Sequence, residues 1–345
     1  MRGLGAFMLF FALSFSYALA GVVPEGVGLG RGDLTLNLSA TYPIPGETVR
    51  AVASSYSHNL SEATLVWSLD GKKIAEGAGI SEVEVVAPDL GSASKIEVIA
   101  TEEGITSSAY AMIRPTEVDL LWESDSYIPP FYRGRALPSA GTSLRLEAIP
   151  RFKRPDGSYV PVSEIAFTWK RDRYAISVVS GMGKSKIVVP SPPLFGSNTI
   201  SVEARTSDGV YAGAAFVRIA SRDPVLILYE NHPLFGIQYH HALASQNVVS
   251  EVETSFIAIP YFAEAQSPND SRLAYEWRVN GNEIRSDSTR PSELTINASG
   301  SSGVALVELT LSHATNLFLE SGGSWRIAFL GENAKLLRDP YGGNQ

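Results

Sequence analysis

The sequence predicts an all-β protein built from three tandem sandwich domains that follow an export signal, and three observations predict this class. The chain has 345 residues, enough for several domains of about 100 residues each. Its 30 glycines and 20 prolines, with only 19% charged residues, are typical of short strands joined by turns. One order of features also recurs three times, at a spacing of about 105 residues.

In each repeat, a strand in which apolar and polar residues alternate lies before a tryptophan. The three segments are 48–53, 142–148 and 251–258. Because side chains of a strand point alternately to its two faces, this pattern predicts one buried face and one wet face.

A second strand in each repeat ends on a tryptophan. The segments are 63–67, 165–169 and 273–277, and the residues at their ends are Trp67, Trp169 and Trp277. A tryptophan on the third of about seven short strands is typical of an immunoglobulin-like sandwich or one of the polycystic-kidney-disease (PKD) type. We therefore predict that these rings form the structural core, in preference to carbohydrate stacking.

A tight turn is predicted after the tryptophan strand in two repeats. Asp-Gly at 70–71 and Asn-Gly at 280–281 accept the positive φ of a two-residue hairpin turn. The middle repeat has Arg-Asp-Arg at 171–173, so we expect a different turn there. Further strands are predicted at 83–86, 96–100, 109–113, 186–189, 199–204, 214–219 and 325–329.

The segments between repeats are too apolar for free coil, since flexible tethers are typically rich in Gly, Ser and charge. They cover 118–123 with 127–137, and 225–230 with 232–236. We expect each to begin as the first strand of the next domain, with its proline-aromatic stretch covering a domain junction. The alternative is a partner surface whose candidate residues are Trp122, Tyr127, Phe131 and Tyr132.

The N-terminus predicts export. Arg2 precedes an apolar run over 4–19, and Ala-Leu-Ala at 18–20 is a cleavage site before Gly21. An uncleaved membrane anchor is the alternative reading of this run, and no later segment is apolar enough to span a membrane. The predicted domains are a signal peptide (1–20), a flexible leader (21–33), sandwiches at 34–115, 116–221 and 222–331, and a polar tail (332–345).

The absence of cysteine excludes a disulfide framework and a thiol for lipid attachment. Packing alone must then hold the domains. Animal extracellular immunoglobulin domains usually carry a disulfide between their sheets, so its absence favours a bacterial origin.

The chain resembles exported bacterial proteins with tandem PKD or immunoglobulin-like domains over about residues 40–330. The resemblance rests on the Trp-x-x-Asp/Asn-Gly turns at 67–71 and 277–281, and on segments 120–123, 127–132 and 180–185. The usual PKD turn, in which an acidic Gly-Asp stretch follows the tryptophan, is absent. The resemblance implies adhesion, pilus or surface-scaffold roles.

No catalytic, cofactor-binding or metal-binding residue is predicted. Gly-Lys-Ser at 183–185 lacks the earlier glycine of a phosphate-binding loop, and the same position of the first repeat holds a structural turn. His240 and His241 point to opposite faces if they lie on a strand, and His58 and His313 fall in loops of different repeats. The sequence has no Asp-x-Asp-x-Asp run of the kind that binds calcium. The alternative is a calcium site between domains that is assembled from distant carboxylates.

Function is therefore narrowed to two classes. A net charge of −8 without a basic stripe disfavours nucleic acid. We expect a non-enzymatic structural or protein-interaction protein that is exported to the periplasm, cell surface or medium, with envelope or surface proteins as partners. The alternative is a carbohydrate-binding or adhesion module that stacks glycans on exposed aromatics. Its candidate residues are Trp122, Tyr132, Tyr239 and Tyr261.

Overall fold

The computed structural model describes residues 34–249, 253–299, 303–317 and 319–329. The predicted signal peptide, leader and polar tail lie outside the described residues. The chain divides into two compact units between Pro115 and Thr116. The first unit holds one β-sandwich and the second holds two, each with its own buried apolar core.

The first unit is a sandwich of seven antiparallel strands in sheets of three and four. The smaller sheet has the order β1-β2-β5 and the larger one the order β4-β3-β6-β7. The strands are β1 (Thr35–Leu38), β2 (Thr48–Ser54), β3 (Thr64–Leu69), β4 (Lys72–Ala78), β5 (Glu82–Val86), β6 (Ser94–Glu102) and β7 (Ile105–Ile113).

The second unit begins with a sandwich of the same strand order. The sheet β8-β9-β13 faces the sheet β11-β10-β14-β15, and β12 also pairs with β10. Single 3-10 turns cover Val162–Glu164 and Ser177–Val179. The strands are β8 (Glu117–Ser124), β9 (Ser143–Arg151), β10 (Ile165–Arg171), β11 (Tyr174–Ala175), β12 (Gly181–Met182), β13 (Lys186–Pro190), β14 (Ser197–Thr206) and β15 (Ala212–Ala220).

The third sandwich pairs the sheet β17-β16-β19-β22 with the sheet β18-β24-β23-β20-β21. Strand β18 joins its sheet by parallel pairing with β24. The strands are β16 (Val225–His232), β17 (Gly236–Ala242), β18 (Gln246–Val249), β19 (Glu253–Tyr261), β20 (Leu273–Val279), β21 (Asn282–Ile284), β22 (Glu293–Asn297), β23 (Gly303–His313) and β24 (Glu320–Phe329).

These strand orders confirm the predicted all-β class with tandem immunoglobulin-like sandwiches. In each sandwich the strand after the tryptophan strand joins the larger sheet, whereas the constant-type immunoglobulin order places its fourth strand in the other sheet. The inter-repeat segments do begin the next sandwich, as β8 and β16. The domain limits given above stay predictions.

The three tryptophans are fully buried, with exposed fractions of 0%. Each indole N–H also donates to a backbone carbonyl on the segment that leads into β5, β13 or β22, respectively. The acceptors are Ile80 at 2.8 Å for Trp67, Lys184 at 2.8 Å for Trp169 and Pro291 at 3.0 Å for Trp277. A buried indole N–H needs a hydrogen-bond acceptor. Here the acceptor is a backbone carbonyl, so the bond also positions the segment that carries this carbonyl over the core.

The expectation of a different turn in the middle repeat is wrong. Asp172 and Arg173 have φ of 49° and 79°, close to the 51° and 78° of Asp70 and Gly71. All three hairpins therefore have two-residue turns with positive φ at both central residues, as type I′ requires. Arg173 occupies the position that glycine fills in the other two repeats.

A repeated hydrogen-bond pair explains why the turn keeps its geometry. The Asp172 amide donates to the Thr199 carbonyl at 2.9 Å, and the Thr199 amide donates to Asp172 Oδ1 at 2.7 Å. Asp70 makes the same pair with Lys95, and Asn280 with Leu306. This clamp ties the turn to the long strand that pairs with the tryptophan strand, β6, β14 or β23, so an Asx residue is sufficient without the following glycine.

The Gly-Lys-Ser segment at 183–185 is part of the fold. The Gly183 amide donates to the Ile165 carbonyl at 2.8 Å, and the Lys184 carbonyl accepts the Trp169 indole. Lys184 Nζ donates to the Val178 carbonyl at 2.9 Å. The same backbone bonds occur at Gly79 and Ser81 of the first repeat, so this segment is a structural turn.

Candidate functional site

A segment of the second sandwich crosses the third one. Residues 127–141, here called the strap, connect β8 to β9 and lie over the outer face of the sheet β17-β16-β19-β22. The Tyr127 amide donates to the Ala263 carbonyl at 2.8 Å, and the Phe262 amide donates to the Tyr127 carbonyl at 2.7 Å. This reciprocal pair fixes the start of the strap to the end of β19.

The face under the strap is apolar, which is unusual for this protein. Strand β19 is buried on both of its faces: Phe256 and Ala258 belong to the core, while Ile257 and Ile259 face outward beneath the strap. The corresponding outer face of the second sandwich is wet and carries ion pairs such as Arg151 with Glu117 and Asp119. The apolar face exists because the strap covers it.

Four tyrosines gather at this contact. The hydroxyls of Tyr229 and Tyr261 are 2.8 Å apart, and the ring of Tyr239 meets the ring of Tyr229 edge-on at 5.4 Å. Burial, and then the neighbouring Tyr239, raise the pKa of Tyr127 to about 12. Burial likewise raises the pKa of Tyr239 and of Tyr261. Burial therefore favours the neutral phenol at Tyr127, Tyr239 and Tyr261, which suits rings that pack against one another.

A polar clasp closes the far end of the strap. Asn316 Nδ2 donates to the Ala140 carbonyl at 2.6 Å and to Glu264 Oε2 at 3.1 Å. Arg272 bonds Glu264 at 3.3 Å and Asp270 through two nitrogens at 3.0 and 2.9 Å, which lowers the pKa of the Asp270 carboxyl. The loop between β19 and β20 is thereby joined to the second sandwich.

Gly141 is required at this clasp. Its φ is +93°, and a Cβ added there would overlap the Glu264 carboxylate and the Asn316 amide. Any other residue would have to break the clasp or strain the backbone.

Two open clefts flank the strap. The first, of about 480 Å³, is lined by residues that include Trp122, Asp125, Ile128 and Arg145. The second, of about 580 Å³, reaches the clasp residues Glu264 and Arg272 and shares Asp125 and Arg145 with the first. Both are shallow and mainly polar, so they suit contact with a protein surface better than enclosure of a small molecule.

The four residues predicted as a partner surface have different environments. Trp122 is half-buried against the second core, with the Arg135 guanidinium 4.4 Å above its ring. Tyr127 begins the strap and packs onto the apolar outer face of β19. Tyr132 lies edge-on against Tyr261 and Phe262 at 5.7 and 5.9 Å. Phe131 points into solvent with an exposed fraction of 93%.

The aromatics of the carbohydrate alternative do not form a flat platform. Tyr261 is buried, and Tyr132 and Tyr239 contact their neighbours edge-on. Sugars stack on exposed ring faces, so these contacts favour the packing interpretation that the sequence left open.

Sequence reasoning missed the tyrosine cluster, although one signal was present. The run Phe-Ile-Ala-Ile-Pro-Tyr-Phe-Ala at 256–263 lacks the alternation of a half-wet strand. Such a run indicates a strand buried on both faces.

It also missed a Ser-His-Glu arrangement in the first unit. His58 Nε2 lies 2.7 Å from Ser107 Oγ, and His58 Nδ1 lies 3.2 Å from Glu102 Oε2. The Glu102 carboxylate also accepts the Asn59 amide at 3.0 Å. Ser107 is buried with an exposed fraction of 4%, and the His58 side chain with 5%. A nucleophile must meet its substrate, so this set ties a loop to the β6–β7 hairpin.

The other histidines have separate settings. His240 and His241 are exposed on β17. His313, expected in a loop, ends β23, where its Nδ1 accepts the Asn316 amide at 2.9 Å because the chain turns there. Within the described ranges, no three His, Asp or Glu side chains gather in a way that could hold a metal ion. In that same part of the chain, no helix has the length and apolar character to cross a membrane.

Comparison with known proteins gives structural similarity alone. No protein-family model and no curated protein matches the sequence. The fold is similar to the central fibronectin-III array of RIM-binding protein, at 13% identity and a TM-score of 0.30 over 89% of this chain and 98% of that one. It is also similar to three N-terminal domains of the bacteriophage RB49 Highly Immunogenic Outer Capsid protein, at 13% identity and 0.24 over 88% and 98%.

A third similarity is to the fibronectin(III)-like modules of Clostridium thermocellum CbhA, at 14% identity and a TM-score of 0.22 over 61% of this chain and 94% of that chain. With TM-scores this low, the fold class rests on the strand order and cores described above.

Proposed function

We propose that this protein is a non-enzymatic structural or protein-interaction module that acts outside the cytoplasm, in the cell envelope or at the surface. The observation that carries the proposal is the strap. A segment of one sandwich is built into the next by reciprocal backbone bonds, a shared apolar face and a polar clasp. Such a joint holds two binding surfaces at a fixed spacing, which a flexible linker does not.

The chemistry at the joint supports the same proposal. Arg272 is bonded by Asp270 and Glu264, and the tyrosines bond or pack against one another. Side chains with these partners stabilise the joint. A catalytic acid or base must instead face the substrate and be able to exchange a proton with it.

Export is supported by the sequence over residues 1–21. The resemblance to exported tandem-domain proteins supports a finer proposal, a role in a pilus or other surface assembly of a bacterial cell. Envelope or surface proteins are the proposed partners.

Two measurements test the proposal in the cells that make the protein. Fractionation of cells that carry a tagged chain should find it outside the cytoplasm, and a variant with Leu9 and Leu13 changed to Asp should be retained inside. Mild crosslinking and mass spectrometry should then recover defined envelope proteins. A cytoplasmic location of the unchanged chain would overturn the proposal.

The partner class is tested by comparison with a strap variant. Gly141→Glu places a carboxylate in the clasp and should reduce recovery of the same partners, while Gly157→Glu, at an open turn of the same sandwich, should not. A glycan array tests the alternative: specific glycan binding that is lost with Tyr132→Ala would favour the carbohydrate-binding class.

A further inference from the structure

Two turns of the second unit hold a phenylalanine in water with an unfavourable backbone. Phe131 has φ of 66° and an exposed fraction of 93%, and Phe195 has φ of 58° and an exposed fraction of 87%. Each is the third residue of a four-residue turn. The first is closed by the Tyr132 amide and the Pro129 carbonyl at 3.3 Å, and the second by the Gly196 amide and the Pro193 carbonyl at 2.8 Å.

These positions carry two costs at once. The third residue of such a turn has positive φ and favours glycine, since other residues lose roughly 1 kcal/mol there. A projecting phenylalanine also keeps its apolar surface in water. Both Phe131 and Phe195 combine a strained backbone with an exposed apolar ring. Contact of these rings with another molecule would offset both costs.

The two turns leave the same end of the second sandwich. The Ser191 amide donates to the Thr142 carbonyl at 2.9 Å, and the hydroxyls of these residues are 2.8 Å apart. Thr142 follows the strap, which holds Phe131, and Ser191 begins the loop that holds Phe195. The Arg222 amide also donates to the Pro138 carbonyl of the strap at 2.8 Å.

The strap itself is positively charged, while Glu123 and Asp125 line the cleft beside it. The strap contains Arg133 and Arg135 and no acidic residue, and the loop at 191–196 is uncharged, whereas the whole chain has a net charge of −8. The Arg135 guanidinium is oriented by stacking on Trp122. A guanidinium held flat presents a fork of donors that matches a carboxylate.

We propose that Phe131 and Phe195, with Arg133 and Arg135, form a docking surface for an acidic segment of a partner protein that carries apolar side chains. This deepens, and rests on, the proposed protein-interaction function. A protein is favoured over a membrane because each turn presents a single apolar side chain, while Tyr132 is packed back onto Tyr261. Stable membrane binding needs a broader apolar face or a larger basic cluster.

The experiment is selection of phage-displayed random peptides on the tagged full chain. We expect the selected peptides to be enriched in Asp or Glu together with Leu, Ile or Phe. The double variant Phe131→Ser/Phe195→Ser should weaken their binding at least about tenfold, as loss of an interface anchor does. Arg133→Glu/Arg135→Glu should weaken it as well, and should reverse its dependence on salt.

A matched control lies in the same chain. Phe235 is exposed in a second Pro-Leu-Phe-Gly turn, at 233–236 in the third sandwich, so Phe235→Ser removes one exposed phenylalanine elsewhere and is compared with Phe131→Ser and Phe195→Ser made singly. It should leave peptide binding unchanged. All five substituted residues are exposed, so we expect each variant to remain folded, and thermal unfolding of every variant checks this.

Three outcomes overturn the surface. They are peptides without acidic enrichment, equal loss of binding with Phe235→Ser, and no peptides at all. Sedimentation with phosphatidylcholine vesicles that contain phosphatidylglycerol, if it depends on Phe131, would show a lipid target instead. Recovery of envelope proteins that persists in the Phe131→Ser/Phe195→Ser variant would refute this surface and leave the proposed function intact.

Discussion

At the scale of single residues, the hairpin turn of the second sandwich holds an arginine in a backbone conformation that glycine prefers. The side chain of the preceding Asp172 clamps the turn to β14, so the strain at Arg173 persists. This arrangement shows that the aspartate, and not the glycine, specifies the turn.

Replacing that arginine should stabilise the second unit. Arg173→Gly relieves the strained φ of 79° and should raise the free energy of unfolding by about 0.5–1 kcal/mol. Urea unfolding measures this change. Gly71→Arg, the reverse substitution in the first unit, should destabilise by a similar amount, and a stabilising effect of that control would contradict the argument.

The indole bond of each buried tryptophan should contribute alongside its volume. Trp169→Phe leaves the Lys184 carbonyl without its donor and opens a small cavity, so we expect a loss of about 2–4 kcal/mol. The half-buried Trp122 is the control, since Trp122→Phe should cost much less. Equal losses at the two positions in denaturant unfolding would refute a special role for the indole bond.

Acid should weaken the second unit through Asp270. The Arg272 guanidinium holds the pKa of this carboxyl well below its usual range, so the folded state favours the carboxylate. Its contribution is complete above the unfolded pKa of about 3.9 and is lost as pH falls through the lower folded pKa. Asp270→Asn should therefore lower stability at neutral pH and flatten its decline below about pH 4, as followed by thermal unfolding across pH. An unchanged acid profile would contradict this assignment.

At the scale of elements, the strand pattern was readable from the sequence and the strap contact was not. Alternation and the three tryptophans predicted β2, β9, β10 and their counterparts, because each strand's own residues record which face is buried. The outer face of β19 is buried by the strap, whose residues lie about 130 positions earlier in the chain. The sequence of β19 does not show which distant segment covers it. The run at 256–263 indicates only that some cover exists.

The candidate surface was likewise predicted only in part. The proline-aromatic composition of 127–132 drew attention to Phe131 and Tyr132, which the structure separates into one exposed and one packed ring. Phe195 was missed because its exposure depends on the turn it occupies. The sequence does not indicate whether a single phenylalanine has a positive φ.

The contact under the strap should give a distinct alkaline titration. The pKa of Tyr127 is raised to about 12, so the folded state favours the neutral phenol. Its contribution to stability is complete below the unfolded pKa of about 10 and is lost as pH rises through about 12. Ultraviolet titration should show phenols that ionise only in this range.

Tyr127→Phe should remove one of these late-ionising phenols and protect the second unit from alkaline unfolding. Tyr174, which is exposed on β11, provides the control because Tyr174→Phe should leave the late-ionising phenols in place. Loss of an early-ionising phenol in Tyr127→Phe would contradict the burial of this residue.

At the scale of the whole molecule, the second unit is one body made of two sandwiches. Its joint combines the backbone pair at Tyr127, the apolar face of β19 and the clasp at Asn316. Cores that share such a joint should unfold together, because loss of either sandwich exposes the apolar surface of the other.

Breaking the clasp should separate the two. We expect one calorimetric transition for residues 116–345 in the unchanged chain and two in the double variant Glu264→Gln/Asn316→Ala, since coupling is lost while each core remains. Glu283→Gln, an exposed substitution on β21, should leave the transition single. Two transitions already present in the unchanged chain would show that the joint does not couple the sandwiches.

The strap also has a consequence for the order in which the chain matures. A chain is synthesised from its N-terminus, so β8 to β15 can assemble while Tyr229 and Ile259 are still to be synthesised. Until β19 has been synthesised, the apolar side chains of the strap have no surface to pack against. Between synthesis of the strap and synthesis of β19, we therefore expect the nascent protein to bind chaperones, to be cleaved by proteases or to associate with the strap of a neighbouring chain most readily.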